Sequence, residues 1–195
     1  SSRKLASASR IGLWRIIVRF NPDTAQTMKT DTPTTVYLKD YTPPAFLVDS
    51  VDLDFNIAAG GTVITATLAM RRNPAVPSQP LVLDGDELET LNATVDGKKV
   101  PFSETANTLT IADLPDAFTL QTVVRIQPDN NTRLSGFYRS KDGYFTQCEA
   151  QGFRKITYYP DRPDVMARFK VRVEGELPIL LSNGNPVASG KGFAE

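Results

Sequence analysis

The sequence predicts a mainly β protein, built either on a large bent antiparallel or mixed sheet or on a sandwich, with few short helical turns. From residue 36 onward apolar side chains recur at every second position, which is the period of a half-buried strand. No stretch carries a helical apolar stripe longer than two turns. Short β segments follow one another at spacings near ten residues, which is typical of sandwiches and extended sheets.

The first strand pair is predicted between residues 47 and 72. Apolar and polar residues alternate from Val51 to Ile57 and again from Thr62 to Met70. Gly60 and Gly61 separate the two runs and supply the turn of a β-hairpin. Three prolines follow, and proline ends a strand because it cannot donate a ladder hydrogen bond.

Later segments predict further strands at residues 81–83, 91–95, 99–102, 107–111, 118–126, 152–159 and 165–173. Asp96-Gly97 joins the second and third of these as a hairpin turn. Residues 182–186 are predicted to form another turn, after the apolar run from Leu177 to Leu181. Because the sequence holds no internal repeat and no low-complexity linker, residues 36–195 are predicted to be one β-domain.

Residues 1–35 are predicted to be a basic and polar extension of that domain, since five basic residues precede the first acid, Asp23. A secretory signal is only weakly indicated, because Arg15 interrupts its apolar run. An organellar transit peptide fits the Arg- and Ser-rich bias of residues 1–27. We favour a third interpretation, in which Met28 is the natural start and the preceding residues come from cloning or from upstream sequence.

Charge and cysteine content bear on the partners and the compartment. The chain carries 22 Lys and Arg and 22 Asp and Glu, so its net charge is zero. This balance argues against nucleic-acid and membrane-surface binding, which draw affinity from excess basic charge. The one cysteine, Cys148, allows no internal disulfide and fits a reducing compartment. We therefore expect a cytoplasmic protein, or an organellar one if residues 1–27 are a transit peptide.

The chain contains no histidine at all. Histidine is the usual general base near neutral pH and the commonest zinc ligand, so no Ser-His-Asp triad, Cys-His pair or HExxH zinc site can form here. Asp84, Asp86 and Glu87 lie close together, but they lack the spacing of a calcium loop and are interpreted as a solvated turn. We predict no catalytic residue and no metal ligand in this chain, and no enzymatic activity when it is alone.

One segment, Tyr144 to Asp164, differs chemically from the alternating strands around it. It combines an amide, a thiol and an acid at Gln147-Cys148-Glu149 with several aromatic residues, and prolines flank Asp161-Arg162. Prolines fix the backbone and end the strand. Taken alone, the pattern indicates an irregular, aromatic-rich loop and strand, of the kind found at a packed sheet edge with a salt-bridged turn.

At these residues the chain resembles the aminopeptidase N family of zinc metallopeptidases, a gluzincin family, and most closely its bacterial alanyl-type members. The matching motifs occur in the family's order and run from about residue 36 to the carboxyl end: Val36–Tyr41, Leu81–Gly85, Asn131–Tyr138, Thr146–Asp164 and Leu180–Asn185. The match over Thr146–Asp164 holds almost residue by residue.

The resemblance implies a saddle-like, mostly antiparallel β domain at the amino terminus of a longer enzyme. In the family this domain packs on a thermolysin-like catalytic domain that holds the HExxH zinc motif and acts on peptides. The resemblance therefore implies zinc as cofactor of the full-length enzyme, bound outside this chain. It also implies peptide substrates and the protein's own catalytic domain as partners. We expect the chain to be a fragment that continues beyond Glu195.

The same resemblance assigns a role in substrate recognition to two residues. Glu149 would bind the free α-ammonium group of the substrate, and Gln147 would line the first subsite beside it. The neighbouring residues are expected to be structural. Cys148 should be a buried small side chain, and Arg154, Asp161 and Arg162 should form ion pairs. Tyr158 and Tyr159 should pack against the catalytic domain, one inward and one outward.

An alternative interpretation is a non-catalytic β-sandwich, either an immunoglobulin-like or a carbohydrate-binding interaction module. It accounts for the strands and for the neutral charge equally well. It does not account for Gln147-Cys148-Glu149 beside an aromatic strand.

Overall fold

The computed structural model describes residues 37–195. The predicted extension at residues 1–35, with the competing interpretations of residues 1–27, lies outside the described residues, and its boundary with the β-domain stays a prediction. Leu38–Asp40 forms a 3-10 turn. Residues 42–195 form a second unit, which contains every strand discussed below.

The described part of the chain contains thirteen strands: β1 (Phe46–Ala58), β2 (Gly61–Arg72), β3 (Leu81–Asp84), β4 (Glu89–Val95), β5 (Lys98–Lys99), β6 (Ser103–Glu104), β7 (Thr108–Ile111), β8 (Ala117–Ile126), β9 (Gly136–Ser140), β10 (Gly143–Gln147), β11 (Arg168–Gly175), β12 (Ser189–Gly190) and β13 (Phe193–Ala194). Besides these strands the same residues contain only 3-10 turns as helical elements. The mainly β prediction is confirmed.

Eight strands form one mixed sheet in the order β12-β13-β11-β1-β2-β8-β4-β5. Strand β11 runs parallel to β1, with Ser50 opposite Arg168 and Ile57 opposite Gly175. The other pairs of this sheet are antiparallel. A three-stranded sheet, β3-β7-β6, and the separate hairpin β9–β10 complete the fold.

Alternating burial explains why the central strands form. Along β1, Val51, Leu53 and Phe55 are buried while the residues between them are exposed. The inward side chains of β2 and β8 continue this face, with Ile64 and Leu120 fully buried. Buried side chains of the three-stranded sheet join the same apolar cluster. Burying one face on the core and wetting the other is the usual arrangement of antiparallel strands.

Two predicted strands differ from the structure. The return strand predicted at 99–102 is only Lys98–Lys99, because Pro101 has no N–H with which to extend the ladder. The strand predicted at 152–159 is wrong, since Phe153–Lys155 is a 3-10 turn and only Tyr159 makes an isolated bridge, to Asp84. Residues 156–160 are all buried, and a strand with one wet face cannot bury five consecutive side chains.

Candidate functional site

The hairpin β9–β10 carries Gln147 at its end. The register places Gln147 opposite Gly136 and Gly143 opposite Ser140. This hairpin was missed in the sequence, although Asp142-Gly143 is a hairpin-turn signal. The Phe137 ring anchors it, lying 5.6 Å from the Phe55 ring of β1. The hairpin that presents Gln147 is thereby packed on the main sheet through β9.

Glu149 lies in the turn that follows β10, and its side chain is exposed. The Gly152 N–H donates to the Cys148 carbonyl at 2.8 Å and closes this turn. The peptide bond between Glu149 and Ala150 is cis. The Gln147 side-chain amide reaches the Glu149 carbonyl at 3.5 Å. The structure therefore brings the two predicted site residues together on one exposed turn.

The turn depends on close backbone packing at Gly152. A Cβ atom there would overlap the Gln147 carbonyl oxygen and would lie 2.9 Å from the Cys148 Cα. It would also lie 3.0 Å from the Ser135 hydroxyl. Only glycine fits this position without a backbone shift, so the sequence Gln151-Gly152 is part of what shapes the turn.

The Glu149 carboxylate has no ion-pair or hydrogen-bond partner among residues 37–195. Neighbouring acids differ, because Asp161 accepts from the Arg154 guanidinium at 3.0 Å and Asp84 lies 3.6 Å from the same group. An exposed carboxylate without an internal cation can accept a cationic group from a ligand at little cost in lost internal contacts.

Arg154 and Asp161 tie the site segment to the three-stranded sheet. The Arg154 backbone N–H donates to the Asp161 carboxylate at 3.2 Å, and its guanidinium donates to the Asp161 carbonyl at 2.9 Å. The Asp161 N–H donates in turn to the Asp84 carboxylate at 3.0 Å. Arg162 donates to Asp164 and to the Thr42 carbonyl. These contacts agree with the structural role predicted for the three residues.

Cys148 is half-buried against the apolar core. Burial, and to a smaller extent the nearby charge of Asp161, raises the pKa of its thiol. A raised pKa keeps the group as the less reactive thiol at neutral pH. The arrangement agrees with the predicted structural role, with partial rather than full burial.

The prediction for the adjacent tyrosines is wrong. Tyr158 and Tyr159 are both buried inside this chain, at 2% and 5% exposure, so neither faces outward. Both side chains belong to the apolar core cluster of the chain. The Tyr158 hydroxyl donates to Glu104 and lies 2.9 Å from the Thr90 hydroxyl.

Within residues 37–195, no group of three or more His, Cys, Asp or Glu side chains is arranged to hold a metal ion. No helix in this part of the chain is long and apolar enough to cross a membrane.

Comparisons with known proteins identify the family. The family model of the peptidase M1 N-terminal domain matches residues 47–192. Aminopeptidase N of Caulobacter vibrioides is 48% identical over 168 residues, which are 84% of this chain and 19% of that protein. Aminopeptidase N of Escherichia coli K12 is 41% identical over 166 residues, covering 83% of this chain and 19% of that protein.

A solved structure supports the same assignment. Legionella pneumophila aminopeptidase A, in complex with aspartic acid, has a TM-score of 0.73 and 27% identity to this chain. The likeness covers 80% of this chain and 20% of that one. The chain thus spans about a fifth of the length of the relatives that it matches. Because the family model covers most of its length and the strands follow the same fold, the chain belongs to the peptidase M1 family, as an N-terminal domain.

Proposed function

We propose that this chain is the N-terminal domain of a zinc-dependent aminopeptidase, which it serves as a scaffold and as part of the substrate site. In this proposal Glu149 binds the free α-ammonium group of a peptide, and Gln147 lines the first subsite beside it. The observation that carries the proposal is the exposed, unpaired Glu149 carboxylate, held beside Gln147 on a closed turn of a chain in this family. The family match favours this function over a non-catalytic sandwich module.

The chemistry of the turn suits recognition of an ammonium group. A charge-assisted hydrogen bond between a carboxylate and an ammonium contributes about 1.5–3 kcal/mol. Covering Glu149 with substrate would remove water from its carboxylate, so a peptide without a free amine would leave a desolvated charge unpaired. Peptides with a blocked amino terminus would therefore bind less well.

Residues of this chain do not fit a zinc site. The sequence has no histidine and only one cysteine, and residues 37–195 hold no acidic, Cys or His cluster of the required size. In the proposed enzyme the metal is bound by sequence outside this chain, as the family resemblance implies. The role of this chain is confined to binding and orienting the substrate.

The scaffold role is supported by exposed apolar residues near the end of the chain. Met166 and Leu181 are each 84% exposed, and Ile179 and Val187 are each 73% exposed. Four large apolar side chains that are this exposed between residues 166 and 187 fit a surface that another domain covers. We propose that the protein's own catalytic domain packs there, that the enzyme acts on peptides, and that it resides in the cytoplasm.

The test uses the natural protein that contains this chain. Glu149→Gln keeps the side-chain shape and removes the charge, and Glu149→Ala removes both. We expect each to lower kcat/KM on an aminoacyl reporter by roughly ten- to a hundredfold, because the lost bond is charge-assisted. The control is Asp52→Asn, which neutralises an exposed carboxylate on β1 and should leave kcat/KM unchanged. Wild-type kinetics in both Glu149 variants would refute its role, and a natural protein that releases no amino acid would refute the proposed activity.

A further inference from the structure

Lys155 lies just after the site turn and is the most enclosed cation of this segment. Its side chain is 10% exposed, and its amino group pairs with Asp86 and lies 3.5 Å from Glu87. Both acids belong to the connection between β3 and β4. Arg133 approaches the same two carboxylates at 3.7 and 3.4 Å. Lys155 thus joins the site segment to a part of the chain 69 residues away in sequence.

Backbone hydrogen bonds continue this connection to Glu149. The Asp86 N–H donates to the Arg154 carbonyl at 2.9 Å, next to the Lys155 ion pair. The Lys155 N–H donates to the Gly152 carbonyl at 3.1 Å. Gly152 in turn closes the turn that bears Glu149. An unbroken series of contacts therefore runs from the β3–β4 connection to the site.

Lys155 also touches the strand opposite Gln147. Gly136 pairs with Gln147 across the hairpin and has a φ of 75°. A Cβ atom on Gly136 would lie 2.5 Å from the Lys155 Cβ and 3.2 Å from the Gly152 carbonyl. The aliphatic stem of the Lys155 side chain is therefore packed directly on β9. Movement of Lys155 would shift the support of both Gln147 and Glu149.

We propose that Lys155, through its ion pair with Asp86, is a positioning residue for the Gln147–Glu149 site. It touches no substrate, and it acts by holding the 148–152 turn against β9 and the β3–β4 connection. This inference rests on the proposed function for its kinetic consequence, but its structural consequence is independent of any activity. The competing account is that the ion pair only stabilises the fold.

The first experiment measures the turn itself in the full 195-residue chain. Lys155→Met keeps much of the apolar stem and removes the charge, while Lys155→Arg keeps the charge. In Lys155→Met we expect amide hydrogen exchange over residues 148–156 to accelerate by about tenfold or more, with unchanged exchange in β2 and β8. In Lys155→Arg, amide exchange over residues 148–156 should stay as slow as in the wild type.

The matched control removes an ion pair from the other end of the same hairpin. Arg139 donates to Asp129 at 2.9 Å and lies opposite Tyr144, away from Gln147. Arg139→Met should leave exchange over 148–156 at the wild-type rate. Unchanged exchange in Lys155→Met, or equal acceleration throughout all strands, would overturn the proposal whatever the enzymatic activity proves to be.

The second experiment is a double-mutant cycle in the natural protein. Lys155→Met should lower kcat/KM on an aminoacyl reporter by roughly tenfold, mainly through KM, because the binding groups lose their orientation. In a Glu149→Ala background the same substitution should have a clearly smaller effect, because only the contribution made through Gln147 remains to be lost. Equal losses in both backgrounds would overturn positioning. Absence of activity in the wild-type protein would instead refute the proposed function. The hydrogen-exchange experiment would then decide alone whether Lys155 positions the turn.

Discussion

The central strands β1, β2 and β8 and the segment from Cys148 to Asp161 acquire their shapes in different ways. In the central strands, side chains alternate between a buried and a wetter face, and backbone ladders set the register. In the segment, five consecutive residues are buried at 156–160, and ion pairs and one glycine contact define the turns. The first region relies on a repeated pattern, while the second relies on individual contacts.

This difference bears on how the two regions tolerate change. A sheet held by many equivalent ladder bonds tolerates substitution on its wet face, since no single outward side chain determines the register. The segment is held instead by a few specific contacts, among them those of Gly152, Lys155 and Arg154. Substitutions there should disturb the site with less effect on the rest of the fold.

The largest expected effect tests the alternating region. Leu120 on β8 is fully buried, so Leu120→Ala removes apolar contacts and leaves a cavity. We expect the free energy of unfolding to fall by about 2–5 kcal/mol, measured by urea denaturation of the 195-residue chain. The adjacent, outward-facing Gln121 serves as control, since Gln121→Ala loses only one hydrogen bond, to Thr67 at 3.2 Å. Similar losses in the two variants would contradict a one-sided core.

The same difference explains what the sequence could predict. Alternation identified β1, β2 and β8 because each buries every second residue of a long run. The aromatic-rich segment at 152–159 misled the prediction, since its burial follows from a 3-10 turn and two consecutive inward tyrosines. The alternation of apolar and polar residues along the sequence does not reveal a turn that buries consecutive side chains.

At the candidate site, too, the sequence predicted what is local and missed what depends on distant contacts. Gln147 and Glu149 were chosen from the family resemblance, and their proximity follows from their separation of two residues. Lys155 and Gly136 were missed, because their importance depends on Asp86 and on the hairpin register, both distant in sequence. The only local signals were a glycine at the start of β9 and a lysine after the turn, and neither is specific.

A smaller effect is expected from a substitution that breaks the irregular segment alone. Gly152→Ala forces a Cβ into the Gln147 carbonyl oxygen, which is backbone and cannot rotate away. We expect a loss of about 1–3 kcal/mol in unfolding free energy, measured by urea denaturation, together with faster amide exchange near the turn. The control is Gly143→Ala, whose Cβ would meet only the movable Phe145 ring at 3.1 Å. Equal costs for the two alanines would show that the close packing at Gly152 is unimportant.

The smallest expected effect tests how the segment is joined to β4 and β6. Tyr158 hydrogen bonds to Glu104 and to Thr90 of β4, each at 2.9 Å, whereas the buried Tyr159 hydroxyl has no partner among the described residues. Tyr158→Phe should therefore cost about 1–2 kcal/mol of unfolding free energy. Tyr159→Phe, the matched control, should cost little, because it removes no hydrogen bond. Urea denaturation at neutral pH measures both losses of unfolding free energy. A loss in Tyr159→Phe as large as that in Tyr158→Phe would contradict the hydrogen bonds assigned to Tyr158.

Measuring stability at alkaline pH distinguishes the effect of burying Tyr158 from the effect of its hydrogen bonds. Burial is the main cause that raises the pKa of Tyr158 to about 12, and it also raises the pKa of Tyr159 to about 12. An unfolded tyrosine titrates near pH 10, so between about pH 10 and 12 the unfolded chain loses protons that the folded chain retains. The stabilisation is then complete below pH 10 and is lost as the pH rises toward 12. In each single Phe variant the free energy of unfolding should decline less steeply than in the wild type between pH 10 and 12. At neutral pH, however, only Tyr158→Phe should be less stable than the wild type. If the two variants declined as steeply as the wild-type chain, the tyrosines would titrate normally, and the segment would not be packed as tightly as the central strands.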